Sequence, residues 1–391
     1  MASSRMELSP GAVAAPARRE TPPLASTSRL TSLDAFRGLT IAAMLLVNNP
    51  GSWAHIYAPL EHAEWNGWTP TDLIFPFFLF IVGVALSISL ARRRERGAQR
   101  RDLLRKILGR SLVIILIGIL LNGFPRYDLS TIRLPGVLQR IGLVYLLAAS
   151  AWVLLSRNLV AALTAILLLG YWALMTLVPV PRFGAGHLEP VGNLAQYVDS
   201  HLLAGHLWKA EWDPEGLLST IPAIATCLLG AFTGEWIRRT IPSARGAAGL
   251  VAMGTLLVGA GLLWGHWFPI NKNLWTSSYV VFTAGAALVL LAGCYWLIEV
   301  EGAERWAHPA YIFGANPLIV FVGSGLMARV LARVEVGAGD GTVSLQRWLY
   351  ERLFASWAGP LNGSLAYAIA FVLLWLLLMW PVYRAGWKIR A

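Results

Sequence analysis

Long apolar runs separated by short polar or basic stretches fill the chain from residue 32 onward. A helix needs about 20 predominantly apolar residues to cross the roughly 30 Å hydrocarbon core of a bilayer. On that criterion ten segments read as membrane helices: 36–49, 71–90, 107–121, 135–155, 159–178, 217–237, 247–264, 275–298, 311–331 and 365–383. The first is short and runs into Asn48-Asn49-Pro50-Gly51, a chain break at one membrane face. Segment 343–357 carries apolar residues at mixed spacing and reads as an interfacial helix rather than a span. Residues 1–31 are rich in Ala, Ser, Pro and Arg without the apolar core of a signal peptide, so they read as a disordered cytoplasmic tail ahead of one transmembrane domain, 32–391. The pattern predicts an all-α polytopic integral membrane protein.

Composition agrees and removes other classes. With 56% hydrophobic and 14% charged residues the chain is too apolar for a soluble fold. A net charge of +11 would suggest nucleic acid in a soluble protein, but here the basic residues gather in loops between apolar runs. The densest group is Arg92, Arg93, Arg94, Arg96, Arg100, Arg101, Arg105 and Lys106, which assigns that loop to the cytoplasm. Alternation from it puts Arg157, Arg238, Arg239, Arg245 and both termini on the same side. No nucleic-acid role is needed. Cys227 and Cys294 lie inside apolar runs, away from any metal-ligand spacing, so no metal is expected. Tryptophan and tyrosine at span ends fit an interfacial aromatic belt.

The remaining polar residues collect at the opposite helix mouths: His62, Glu64, Asn66, Asp72, Arg126, Arg133, Gln139, Arg140, Asp213, Glu215, Asn271, Lys272 and Asn273. Asp72 has an ordinary reading as a helix-start residue, and Glu64 as an exposed loop acid. Gln139-Arg140 follows Pro135-Gly136 by one turn and would face lipid unless it lines a polar cavity. Such a cavity suits an enzyme, and it also suits a transporter or flippase of a glycosylated or acylated metabolite; the absence of an internal repeat weighs against the latter.

The run from His62-Ala63-Glu64-Trp65-Asn66 through Thr69-Pro70-Thr71-Asp72 to Pro76, with Ser32-Leu33-Asp34-Ala35-Phe36-Arg37-Gly38 before it, resembles the heparan-α-glucosaminide N-acetyltransferase family and its bacterial relatives. Leu134-Pro135-Gly136-Val137-Leu138-Gln139-Arg140, Asp213-Pro214-Glu215-Gly216, Asn271-Lys272-Asn273-Leu274-Trp275 and Gly314-Ala315-Asn316-Pro317 are similar to its later motifs, in the same order. Against the pattern of that resemblance, the chain is expected to be without the family's extra lumenal domain and first helix, and its spacing from Asn48 to His62 is longer.

The resemblance implies transfer of an acetyl group from cytosolic acetyl-CoA to an extracytoplasmic sugar or amino sugar, on nitrogen or oxygen, in a bacterial cytoplasmic (inner) membrane, and leaves room for a homodimer in the lipid bilayer. It implies His62 as the catalytic residue and Asn48 as its helper. A neutral imidazole can take a proton from an amine or hydroxyl, or attack a thioester itself. Asn48 or Asn66 can donate to the developing oxyanion, and Glu64 or Asp72 can orient the ring. Arg37 is expected to meet the phosphates of acetyl-CoA through its guanidinium fork. Arg133, Gln139, Arg140, Asp213, Glu215, Asn271, Lys272, Asn273 and Asn316 are expected to bind substrate or donor.

Overall fold

A computed structural model describes residues 30–209, 212–240, 242–338 and 341–387. The tail expected over 1–31 lies outside the described residues except for its end, where the first helix already begins at Thr31. In chain order the helices are α1 (Thr31–Asn48), α2 (Ile74–Glu95), α3 (Arg100–Gly123), α4 (Val137–Leu154), α5 (Arg157–Leu177), α6 (Leu194–Leu202), α7 (Thr220–Arg239), α8 (Ala244–Trp264), α9 (Ser277–Tyr295), α10 (His308–Ala315), α11 (Pro317–Arg333), α12 (Leu345–Tyr350) and α13 (Ser356–Arg384).

Every one of the ten apolar segments overlies a helix. Among the described residues, seven helical segments are long and apolar enough to cross a membrane, or eight if the bent pair α10–α11 is one span. α1, with Asp34 and Arg37 in its first half, and α3, which opens on Arg100, Arg101, Arg105 and Lys106, fall outside that set.

Two expectations need correction. Segment 311–331 is not one helix: α10 and α11 meet at an angle of 72° across Asn316. Pro317 brings no backbone N–H to bridge the break, and its ring disfavours a helical residue before it, so Asn316 sits at φ −135°, ψ 59°. The fold also includes an antiparallel hairpin, β1 (Glu335–Ala338) with β2 (Gly341–Ser344), so Val343 is a strand residue and the interfacial helix starts at Leu345. A π-helical turn, Glu351–Ala355, joins α12 to α13, and α13 kinks where Gly359 takes φ +76° and Pro360 follows, turning the chain into the last span.

α2, α7 and α9 form the centre, with 67%, 72% and 67% of their apolar windows buried, whereas α5 and α8, at 28%, form the rim. The central pair approaches closely because Gly83 faces the Cys227 carbonyl, where a Cβ would come within 1.9 Å of the oxygen. α2 begins in a 3₁₀ turn, Pro70–Leu73, with Thr69 and Asp72 forming a reciprocal capping box and Pro70 fixing the first turn. Its far end carries Arg92, Arg93 and Arg94, which complement the helix dipole.

Contacts sort the helix ends into two faces. Arg238 of α7 pairs with Glu95 of α2, Arg94 donates to the Val153 carbonyl of α4, and Arg157 of α5 pairs with Glu235 of α7. This is the basic face. The starts of α2, α4, α7 and α9 share the other, together with the loops carrying most of the polar residues singled out above.

Candidate active site

Asp72 is the hinge of the polar face. It is 1% exposed, and its Oδ2 accepts the backbone N–H groups of Ala63 and Thr69, each at 3.0 Å, and the Thr69 hydroxyl at 3.2 Å. The Tyr279 hydroxyl donates to the Asp72 carbonyl from α9. Its other carboxylate oxygen, Oδ1, lies 2.6 Å from His62 Nδ1. A carboxylate only accepts, so His62 carries its proton on Nδ1 and presents the Nε2 lone pair. The side chain of His62 is 48% exposed. Glu64 is exposed and takes no part in this arrangement.

Lys272 lies against the same imidazole, its Nζ 2.9 Å from Nδ1 and 3.1 Å from Nε2, and 3.5 Å from Asp72 Oδ1. Near-equal distances to both ring nitrogens put the ammonium over the ring face, since an in-plane approach would collide with Cε1. Burial pushes the Lys272 ammonium below the ordinary lysine range, against the pull of Asp72 and Glu215. The loop bearing Lys272 is tied to the loop bearing His62: Asn271 Nδ2 donates to Asn66 Oδ1 at 3.1 Å, and Gly67 N donates to the Ile270 carbonyl at 2.8 Å. Asn271 also accepts the Leu274 N–H at 2.9 Å, and Trp275 holds φ +51°, a left-handed backbone rare for a bulky residue and frequent at functional sites. Asn273 is partly buried in the same turn.

A second cluster sits beside the first. Arg133 grips Asp213 with both ends of its fork, Nε to Oδ2 at 2.7 Å and Nη2 to Oδ1 at 2.6 Å, and also binds Glu215. Burial alone would lower the Arg133 guanidinium, but the two carboxylates outweigh it and raise it; Arg133 likewise overcomes burial and holds Asp213 below the usual carboxylate range. Arg140, 1% exposed, donates to the Gly216 carbonyl at 3.1 Å and to the Ser219 hydroxyl, and its guanidinium lies 5.0 Å from the Trp275 ring. It therefore braces the 213–219 turn against the Asn271–Trp275 turn.

Asp199 of α6 supports that turn from outside the spans. Its Oδ1 accepts the Leu217 N–H at 2.8 Å, and it fits only because Gly216 has no Cβ, which would lie 1.7 Å from Oδ2. Burial pushes its carboxyl up from 3.8 to about 6. The folded state therefore binds this proton more tightly than the unfolded chain. The contribution to stability is complete below pH 3.8 and is lost as pH rises through about 6, a change of roughly 3 kcal/mol. Asp199→Asn is neutral throughout and keeps an acceptor for Leu217. Its melting temperature relative to wild type should rise between pH 4 and about 6 and then level off. Parallel melting profiles would disprove the assignment.

Asn48 and Gln139 lie elsewhere on this face. They line a cavity of about 270 Å³ between α1, α3, α4 and α11, which also holds Arg133 and whose walls do not include His62. Arg37 and Asn316 belong to the basic face. Arg37 lies 3.1 Å from Asp34 and 3.4 Å from the Gly314 carbonyl, and Asn316 donates to the Trp387 carbonyl at 2.8 Å. Thus His62, Asp72, Asn66, Asn271 and Lys272 come together and Arg133, Asp213 and Glu215 adjoin them, while Asn48 lines the neighbouring cavity and Arg37 and Asn316 lie on the basic face. Sequence reasoning gave no site role to Thr69, Tyr279 and Trp275. The Thr69-x-x-Asp72 capping-box spacing is a readable signal for the first; the other two act through a carbonyl contact and a backbone conformation that leave no motif.

A family model described as heparan-alpha-glucosaminide N-acetyltransferase, catalytic, matches residues 29–261. The heparan-alpha-glucosaminide N-acetyltransferase of Homo sapiens is 31% identical over 353 residues, covering 75% of this chain and 52% of its own length. The Mus musculus enzyme of the same name is 30% identical over 358 residues, covering 76% and 53%. The chain spans about half the length of the curated relatives it matches.

Proposed function

Because the chain belongs to the heparan-alpha-glucosaminide N-acetyltransferase family, we propose that it is a membrane acetyltransferase that moves the acetyl group of cytosolic acetyl-CoA to a sugar or amino sugar on the other side of the membrane. The observation that carries this reading is the 2.6 Å bond from His62 Nδ1 to a buried carboxylate that is itself fixed by backbone N–H groups. That bond aims a basic Nε2 outward from a rigid support, which is what a general base or an acyl-accepting nucleophile requires.

In the first form of the reaction, Nε2 takes the proton of the acceptor amine or hydroxyl as that group attacks the thioester carbonyl. The carbon–sulfur bond then breaks, and the imidazolium returns the proton to the departing CoA thiolate. In the second, Nε2 itself displaces the thiolate to give an acetyl-imidazole, which the acceptor then attacks. Either route builds negative charge on the carbonyl oxygen. Lys272 Nζ, 3.1 Å from Nε2, is placed to donate to it, with the Asn66 amide in the same loop as His62 as a second candidate, and removing one such donor costs about 3 kcal/mol in enzymes where it has been measured. Asp72 stabilises the positive ring that forms.

The sidedness follows from charge. Arg92, Arg93, Arg94 and the arginines that follow mark the opposite face as cytoplasmic, which sets His62 outside the cytoplasm, in the inner membrane if the cell is bacterial. Arg37 lies on the donor side, where a guanidinium fork suits a phosphate. The pantetheine arm then has to carry the acetyl group across the membrane toward His62.

Liposomes containing the purified protein, with acetyl-CoA supplied on the basic face and glucosamine on the other, should form N-acetylglucosamine in the glucosamine compartment. Movement of unmodified glucosamine with no acetylated product would instead favour a transporter, and acetyl-CoA binding with no transfer to any sugar would refute the proposal.

A further inference from the structure

The basic face holds a second cavity, of about 250 Å³, between α2, α4, α5 and α7. Ser87 lines its inner end, about two turns before Glu95 at the end of α2, so the space reaches about 12 Å inward from the helix ends. Its mouth is built from charge. Arg94, Arg157 and Arg238 line it with Glu95 and Glu235, and Arg239 stands beside them on α7. Arg238 pairs with Glu95, whereas Glu235 serves both Arg157, at 3.0 Å, and Arg239, at 2.6 Å. Arg94 donates to the Val153 carbonyl at 2.7 Å and pairs with no carboxylate among the described residues. Four guanidinium groups thus face two acids there, and the like charges of Arg94 and Arg239 act on Arg157. Such an excess is costly beside hydrocarbon unless an anion joins it.

The arginines are also held in place. The Arg157 guanidinium lies 3.8 Å from the ring of Trp152, which is buried, and donates to the Trp152 carbonyl at 3.0 Å. The carbonyls of Trp152 and Val153 near the end of α4 are therefore taken, and each guanidinium has more N–H groups than these bonds use. Beside the mouth, Leu154, Leu155 and Leu159 are exposed where α4 turns into α5. That surface suits hydrocarbon chains rather than a water-soluble ligand.

We propose that this cavity binds the phosphodiester headgroup of an anionic phospholipid from the leaflet on the basic face, with its acyl chains along the leucines of the α4–α5 turn. Basic recesses between helices on the cytoplasmic side of membrane proteins take such headgroups, and a guanidinium fork suits phosphate oxygens. The inference needs the protein in a bilayer and does not rest on the acetyl-transfer reading. Size and position both argue against acetyl-CoA as occupant. The space is smaller than the roughly 300–1,000 Å³ of sites that enclose drug-sized ligands. Among the described residues its walls include none from α1, α10 or the His62 cluster.

The test follows the melting temperature of the purified full chain in detergent as phosphatidylglycerol or phosphatidylcholine is added. Phosphatidylglycerol should stabilise wild type, whereas phosphatidylcholine, whose choline cancels the phosphate charge, should not. Arg94→Gln and Arg157→Gln should each weaken the apparent affinity for phosphatidylglycerol about tenfold. Arg101→Gln removes the same charge from the same face outside the cavity and should stay within about twofold of wild type. Ala91→Trp keeps every charge and fills the space from α2, so it should abolish the response and keeps the test decisive if an arginine variant does not fold. Equal responses in wild type, the arginine variants and Ala91→Trp would leave the arginines as an ion network that only ties helices together, and the proposal would fall. An equal loss in Arg101→Gln would reduce the effect to bulk attraction and overturn it as well. Stabilisation by acetyl-CoA that Arg94→Gln removes, with none by phosphatidylglycerol, would give the cavity to the donor instead.

Discussion

Asp72→Asn should lower kcat for acetyl transfer by about 10³–10⁴, the loss seen when the carboxylate behind a catalytic imidazole is made an amide elsewhere, while the protein folds and binds acetyl-CoA as before. The geometry dictates how. Oδ2 of Asp72 faces three donors, the N–H groups of Ala63 and Thr69 and the Thr69 hydroxyl. An asparagine must turn its oxygen toward them, because its NH₂ there would meet N–H groups head on. The NH₂ then faces His62 Nδ1, which has to accept, so the ring proton moves to Nε2. The tautomer is reversed and the outward nitrogen is no longer a base or nucleophile. Lys272, 3.5 Å from Asp72 Oδ1, also loses a nearby negative charge. Stability should change little, since every backbone donor keeps its acceptor. A merely structural Asp72 would give the opposite pattern, a fall in melting temperature with kcat per folded molecule near wild type.

The membrane character of the fold was legible because apolar runs of span length have no other stable use, and each of the ten overlies a helix, although seven or eight helical segments among the described residues are long and apolar enough to span. What the runs could not show was a break inside one of them. Pro317 was a visible signal, but the segment around it is apolar enough to read as continuous, and the 72° bend depends on packing. The β1–β2 hairpin, with four residues in each strand, is too short to stand out beside the helices. At the site, the residue types were legible and their partners were not. His62 had two candidate acids, Glu64 nearer in sequence and Asp72 ten positions away. The choice is made by the 3₁₀ turn, which folds Asp72 back under the loop. Lys272 lies 210 positions from His62, and no local pattern announces a contact of that range. Asn48 is paired with His62 by the family resemblance, and the structure adds that it lines the neighbouring cavity.

His62→Ala tests the central claim most directly. The side chain is 48% exposed, so its loss removes little buried surface, and surface substitutions of this kind usually shift stability by about 0.5 kcal/mol or less. Its removal takes away the proton acceptor or nucleophile altogether, an effect of about 10²–10⁴ on rate for a general base alone. The measurement is acetyl transfer per folded molecule by purified His62→Ala in liposomes, with melting temperature and acetyl-CoA affinity recorded on the same preparation. The account predicts an intact fold, wild-type acetyl-CoA affinity and transfer reduced by at least about a hundredfold. Transfer at the wild-type rate by a folded His62→Ala protein would contradict it.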